Sequence, residues 1–364
     1  MRFPQIPNIE NAWSGVTIDA LSPSNFSWVN RGCRYQILLQ AVIKSFNNKA
    51  LLLPSNKNAL LGTIIHKLYE LTIKGELKSL LDLKNKWEEL ITAKKTELAS
   101  QYPTLRCASL NDYDKRNSAI RYAMGMMRRS GVNASNEQGR RVLSEKWLDC
   151  SSIGLRGTAD KLVLDGGYVD VIDFKSGHVK DDSGEIKTEY RVQLHLYAVM
   201  CQYLSFGTPR NLSLVDIEGD YYDIPYSQVF SEQLVYDVQE ALKLLNNAIA
   251  EKDFGSHAKP ELGMCSFCGC RHVCQFRDIS AEDYYQTVSG ILIDIPSTNM
   301  YVLRGSNDVK YYVSGIDVYD VEKPHDYLGK MLTFVNVIRA SQQADGFTFK
   351  TTENTLVYEQ LLNG

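Results

Sequence analysis

The sequence predicts an α/β protein: a mixed sheet with flanking helices and a helical subdomain, followed by a small all-β domain at the C-terminal end. Three observations carry this. Apolar residues recur at helical intervals from about 22 to 145, the texture switches at Arg141 to short alternating segments, and residues 281–364 break into runs rich in β-branched and aromatic residues. At 364 residues the chain exceeds the length at which one core usually stops growing. We therefore place a main domain at 1–280, with a helical insertion over about 36–140, and a small domain at 281–364.

The helical region is clearest at Leu80, Leu81, Leu83, Trp87, Leu90 and Ile91, spaced near 3.6 with polar residues between. Then come RVLSEKWLD, LRGTADKLVLD and YVDVIDFK, the last two split by the turn-forming Asp165-Gly166-Gly167, which reads as a three-stranded meander. Helical spacing returns from about Lys187 to Leu204, LSLVDIE reads as one more strand, and a long helix follows around Ser231–Glu251. The order is β-β-β-α-β. In the tail, GILIDI, MYVLR, KYYVSGIDVYD, MLTFVNVIRA, FTFKTT and TLVYE give five or six short strands, a number that suits an OB-like barrel, a fold often used on single strands. No internal repeat is visible.

Hydrophobic content of 44%, charged content of 23% and a net charge of −3 describe an ordinary folded protein and supply no global electrostatic case for a nucleic-acid partner. No apolar run is long enough to span a bilayer, and MRFPQIPNIE lacks an export pattern, so the expectation is a cytoplasmic protein with no membrane partner. Of eight cysteines, four crowd into Cys265–Cys274 while Cys33, Cys107, Cys150 and Cys201 are scattered, a pattern that reads as metal binding rather than disulfides.

Chemistry concentrates in the meander. Asp160 begins one strand and Asp173 lies near the end of the next, so antiparallel pairing through the Asp165–Gly167 turn sets them side by side. Period-2 alternation puts Asp173 and Lys175 on one face and sends Phe174 into the core. Two carboxylates and an amine on one face are what metal-assisted phosphodiester hydrolysis needs: hard oxygen ligands for a divalent cation and a nearby positive charge. D-x-K by itself recurs by chance. In VIDFKSG, however, an apolar strand exposes two charges beside a glycine, and an unpaired buried Asp173 would be costly. Gln193 and Tyr197, at i and i+4, share a helix face from which they would contact a phosphate or order Lys175. A helical His66 stands in LLGTIIHKLYE; imidazole suits manganese better than magnesium and would bias metal choice if it reached the site.

LSPSNFSWVNRGC, GTIIHKLYE, GTADKL, DFKSG, QLHLYA and the cysteine cluster, in that order over roughly Leu21 to Cys274, resemble the RecB-like nucleases of the PD-(D/E)XK superfamily. The likeness is nearest to the branch holding the CRISPR-adaptation exonucleases and AddB. The resemblance implies a restriction-endonuclease-like core. It implies His66, Asp160 and Asp173 as ligands of Mn2+ or Mg2+, with the Phe174 carbonyl completing the shell, and Lys175 positioning or activating the attacking water. Gln193 and Tyr197 match the family's Q-x-x-x-Y helix. Asp173 stands where the family often has Glu.

Cys265-x2-Cys268-x5-Cys274 offers three thiolates on a tight loop. The resemblance supplies Cys33 as the fourth ligand of a [4Fe-4S] cluster that clasps the start of the nuclease domain to its end. Zinc is the alternative, because Cys270 and His272 lie in the same loop. Cys107, Cys150 and Cys201 read as buried apolar residues or idle thiols.

Basic and aromatic residues mingle at Arg31, Arg34 and Tyr35, at Arg121, Tyr122, Arg128 and Arg129, at Arg140 and Arg141, and in the tail at Tyr301, Arg304, Lys310, Tyr311 and Tyr312. Either a single-strand channel or, for the helices, a solvated face accounts for them; for the tail strands the alternative is core. The expected activity is a metal-dependent deoxyribonuclease, more exonuclease than endonuclease, acting on single strands or DNA ends in repair, recombination or defence. The alternative is a catalytically weak end-binding subunit of a helicase-nuclease complex. No G-x-x-x-x-G-K-[ST] stretch is present, so unwinding would need a partner.

Overall fold

The computed structural model describes residues 1–106, 110–133, 140–277, 286–305 and 308–361. The elements run β1 (Gln5–Ile6), α1 (Pro23–Arg31), α2 (Arg34–Ser45), α3 (Lys57–Ile73), α4 (Leu80–Gln101), α5 (Tyr113–Asn133), β2 (Arg141–Cys150), β3 (Leu155–Asp165), β4 (Tyr168–Lys175), α6 (Thr188–Tyr203), β5 (Thr208–Asp216), β6 (Tyr221–Ile224), α7 (Gln228–Glu251) and α8 (Leu262–Cys265). There follow β7 (Gln286–Ser297), β8 (Met300–Arg304), β9 (Lys310–Ser314), β10 (Met331–Gln343), β11 (Gly346–Lys350) and β12 (Leu356–Gln360). Side-chain caps fix where the long helices begin: Asn56 accepts from the Ala59 amide, Ser79 from Asp82 and Ser227 from Phe230.

The first sheet has the order β2-β3-β4-β5-β6. Gly166 and Gly167 both take positive φ, 57° and 86°, which lets β3 turn tightly into β4. β4 and β5 pair in parallel, so the chain must cross over between them, and α6 is that crossover. The expected β-β-β-α-β order is therefore present, with β6 added at the edge.

The second sheet closes on itself. β7 pairs antiparallel with β8, β8 with β9, β9 parallel with β11, and β10 antiparallel with both β11 and β7. This is a five-stranded Greek-key ring of the kind the OB fold uses. β12 adds to the side of β10, and β1 adds parallel to β12. KYYVSGIDVYD is strand only as far as Ser314; Val318–Asp320 is a 3-10 turn.

One apolar cluster joins the helices to the first sheet, and a second fills the ring. The two are not independent. Phe3 lies in the ring cluster, while Val335, Leu356 and Tyr358 of the tail lie in the main one. The expected boundary at 280/281 falls outside the described residues. Across the junction, the Tyr358 hydroxyl donates to the Ala50 carbonyl at 3.1 Å, the Val357 amide to Thr104 Oγ1 at 3.2 Å and the Arg106 amide to the Glu353 carbonyl at 3.1 Å.

Candidate active site and cysteine loop

The register of β3 on β4 pairs Lys161 with Ile172, which sets Asp160 across from Asp173. Asp160 sits in the middle of its strand rather than at the start, because the segment already pairs with β2 from Leu155. Both carboxylates are buried, at 8% and 3% exposure. Lys175 Nζ lies 2.7 Å from Asp173 Oδ2, as the shared strand face requires. Gln193 on α6 then joins the pair: its Oε1 accepts from Lys175 Nζ at 2.8 Å, and its Nε2 donates to Asp173 Oδ1 at 3.0 Å. Burial raises the Asp173 pKa to about 6, opposed by Lys175 and reinforced by Asp160. Burial alone would lower the Lys175 pKa, but Asp173 outweighs it and raises it.

Phe174 is buried, and its ring stands edge-on to His66, Tyr69 and Tyr122, while its amide donates to Asp160 Oδ2 at 2.7 Å. One residue thus anchors the core and orients a site carboxylate. Tyr197 is buried with its ring beside Gly157, where an added Cβ would come within 3.3 Å of it. It packs beneath the site instead of opening toward solvent. Sequence reasoning missed Tyr190, one turn before Gln193 and Leu194, whose ring lies under Lys175 Nζ at 4.3 Å.

His66 projects from α3 toward Asp160, with Nδ1 3.2 Å from Oδ1. Its second neighbour is Glu145, which the sequence reading did not single out: Glu145 Oε1 is 3.7 Å from His66 Nδ1. One ligand atom each from His66, Glu145 and Asp160 lie within 4.8 Å of one another. Ser144 pairs with Lys161 and Lys146 with Ala159, so Glu145 falls opposite Asp160, at a φ of 47° that side chains with a Cβ rarely adopt. Folding the hairpin about Ser151–Gly154 would have exposed this carboxylate from sequence. Burial pushes the His66 pKa down, but Asp160 and Glu145 outweigh it and raise it to about 10. A protonated imidazole amid carboxylates is the arrangement expected where a cation can replace the proton. The donor set of two carboxylates and one imidazole, with Asp173 adjacent, fits a divalent ion.

Cys33, Cys265, Cys268 and Cys274 line one cavity with Tyr35, Leu39, Met264 and Phe276, and Cys270 is not among its lining. Cys270 is fully buried and hydrogen-bonded to Cys268, which lowers the Cys268 pKa to about 7 with help from Arg271 and Arg277. His272 is buried with its ring stacked on Tyr358 at 4.9 Å and does not line that cavity, and burial pushes its pKa down to about 3. Arg271 bonds Asn336 of β10, so the loop that gathers the thiols also seats the barrel. Cys150 and Cys201 are buried, as expected; Cys107 lies outside the described residues.

Several of the basic and aromatic residues have partners within the fold. Arg121 pairs with Glu218 at 3.0 Å, Tyr122 is core, Arg129 covers the Tyr122 ring, and Arg34 bonds the Val29 carbonyl. In the tail, Tyr301 is fully buried and Tyr311 packs on the ring core. No described helix is long and apolar enough to cross a membrane.

In comparisons with known proteins, the family model described as the PD-(D/E)XK nuclease superfamily matches residues 20–275. No curated protein matches. Among solved structures, a candidate exonuclease from Eubacterium rectale is similar over 75% of this chain and 95% of its own, at 12% identity and a TM-score of 0.40.

Proposed function

This chain belongs to the PD-(D/E)XK nuclease superfamily, and we propose that it is a metal-dependent deoxyribonuclease that removes nucleotides from single-stranded DNA or from DNA ends. The observation that carries the reading is the single contact set in which Lys175 Nζ is held by Asp173 at 2.7 Å and Gln193 at 2.8 Å, beside the ligand atoms of His66, Glu145 and Asp160.

His66, Glu145, Asp160 and Asp173 would hold Mn2+ or Mg2+, which supplies Lewis-acid polarisation of the scissile phosphate. The chain's own groups do the rest. Asp173 and Gln193 fix the Lys175 ammonium, which orients the attacking water and offsets the charge that builds on the phosphate. Tyr190 closes over that ammonium and limits its motion. His66 favours manganese over magnesium. The preference for single strands and ends rests on the ordered motif series from Leu21 to Cys274. On duplexes, a helicase in a repair, recombination or defence system would supply the unwinding.

Cys33, Cys265, Cys268 and Cys274 are proposed to hold a [4Fe-4S] cluster. Their shared cavity, which neither Cys270 nor His272 lines, supports this over a local zinc site. Its role is to cross-link a loop of more than 200 residues, from Cys33 to Cys265.

The test is hydrolysis of end-labelled single- and double-stranded DNA with manganese, magnesium or chelator. Asp173→Ala and Lys175→Ala should each abolish metal-dependent cleavage, and full activity in either sinks the assignment.

A further inference from the structure

We propose that Lys161, Arg129 and Arg140 form a phosphate site on the α3–α5 side of the first sheet, which holds the DNA backbone beside the phosphate at the metal centre. The choice of a DNA strand as occupant rests on the proposed activity; the anion site does not.

Register and alternation bring the three cations together. Lys161 pairs with Ile172 on one flank and with Ser144 on the other. Ile172 and Phe174 share a side of β4, and the Phe174 ring faces His66 and Tyr69 of α3 and Tyr122 of α5. Lys161 therefore points to the side that α3 and α5 cover. Arg129 comes to the same side from α5, its guanidinium 5.6 Å from the centre of the Tyr122 ring. Arg140, just before β2, has the parity of Ser144 and so shares its side.

The cluster lacks a counter-charge. Lys161 is half-buried on an interior strand, and among the described residues the charged side chains near enough to act on it are Arg129 and Arg140, both cations. Neither Lys161 nor Arg129 makes a hydrogen bond or ion pair among the described residues. The carboxylates at neighbouring strand positions are committed elsewhere: Asp170 and Asp165 to Arg210 at 2.7 and 3.3 Å, and Glu145 toward His66 at 3.7 Å. Cations that converge partly out of water, with no acid between them, are unfavourable unless an anion joins them. His66 stands on this same side, separated from Arg129 by the Phe174 and Tyr122 rings, whose centres are 6.1 Å apart. A chain of phosphates can thus occupy the metal centre and the cluster together, whereas a free phosphate fills only one.

The experiment measures binding of a fluorescein-labelled oligothymidylate of about 20 nucleotides to the full chain in chelator, by anisotropy across a salt series. The double variant Arg129→Gln/Lys161→Met should bind about 10-fold more weakly, and its plot of log affinity against log salt should flatten by about 1.4 for two lost phosphate contacts. Lys243→Gln, which removes an exposed cation on α7, should change neither. Stability separates this role from a structural one: without DNA or phosphate, Lys161→Met should melt no lower than the parent, because it removes a cation that nothing offsets. Sodium phosphate should raise the parent's melting temperature above that in sodium chloride of equal ionic strength, and should not do so in the double variant. Parent-like affinity and slope in the double variant, an equal loss in Lys243→Gln, or a lower melting temperature in Lys161→Met would overturn the proposal. Loss of the phosphate effect with DNA affinity intact would overturn the strand as occupant. If the parent fails to hydrolyse bis(p-nitrophenyl) phosphate with manganese but still binds the oligonucleotide through Lys161, the nuclease reading falls and the phosphate site stands.

Discussion

Glu145 makes two opposite demands on this protein, and a pair of substitutions separates them. Its φ of 47° places a residue with a Cβ in the left-handed region, at a cost of about 1–2 kcal/mol. Glycine removes that cost but gives back about 0.5–1 kcal/mol in unfolded-state entropy. Glu145→Ala and Glu145→Gly both lack the carboxylate, so their difference isolates the backbone. In chelator, the glycine variant should be the more stable by roughly 0.5–1 kcal/mol, a rise in melting temperature of about 1 °C. Metal separates the parent from both variants. At a manganese concentration 100 times its dissociation constant the parent gains about 2.7 kcal/mol, whereas a 100-fold loss of affinity leaves the variants about 0.4 kcal/mol. Differential scanning fluorimetry with and without manganese reads both effects, and cleavage of labelled DNA should fall at least about 100-fold in each variant. If alanine equals or exceeds glycine in chelator, the left-handed residue is not strained. A full manganese shift in Glu145→Ala would remove Glu145 from the ligand set.

Three further expectations follow from contacts described above. Lys175→Met strips buried Asp173 of its counter-charge and should lose about 3 kcal/mol by urea denaturation at pH 7.5, with much of it regained in Asp173→Asn/Lys175→Met; a single variant as stable as the parent would deny the pairing. His195 donates from Nδ1 to the Arg191 carbonyl at 2.8 Å and accepts at Nε2 from the Ser227 amide at 3.3 Å, and burial lowers its pKa below the usual 6.5. The unfolded chain therefore takes the proton first, so this stability is present above pH 6.5 and is lost as pH falls below it; His195→Gln, titrated by denaturant midpoint, should show a shallower acid loss. Protein purified without oxygen should be brown, losing its colour in Cys33→Ser but keeping it in Cys270→Ser; a colourless preparation with stoichiometric zinc would refute the cluster.

The strand-borne chemistry was readable because a strand has a two-residue period and a short turn fixes register. Asp160, Asp173, Lys175 and the core-facing Phe174 all follow from β3, the Gly166-Gly167 turn and β4. The Gln193 contacts needed only helical spacing in addition. Glu145 was hidden because its position opposite Asp160 depends on pairing across the Ser151–Gly154 turn, and its aim depends on a φ that sequence pattern does not reveal. The partners of the helical arginines were hidden for a related reason. Whether Arg121 is free depends on Glu218, 97 residues away, and charge texture along a helix carries no information about such a partner.

The strand β1 has a consequence for how the chain is made. Gln5 pairs with Glu359 across 354 positions, and Phe3 fills the ring core beside Val357. At about 5–20 residues per second of synthesis, the first strand waits roughly 20–70 s for its partner. Every strand of the first sheet has emerged by Ile224. The first sheet can therefore form early, while Phe3 remains uncovered until Val357 is made, leaving nascent chains with an exposed apolar side chain for chaperones to shield.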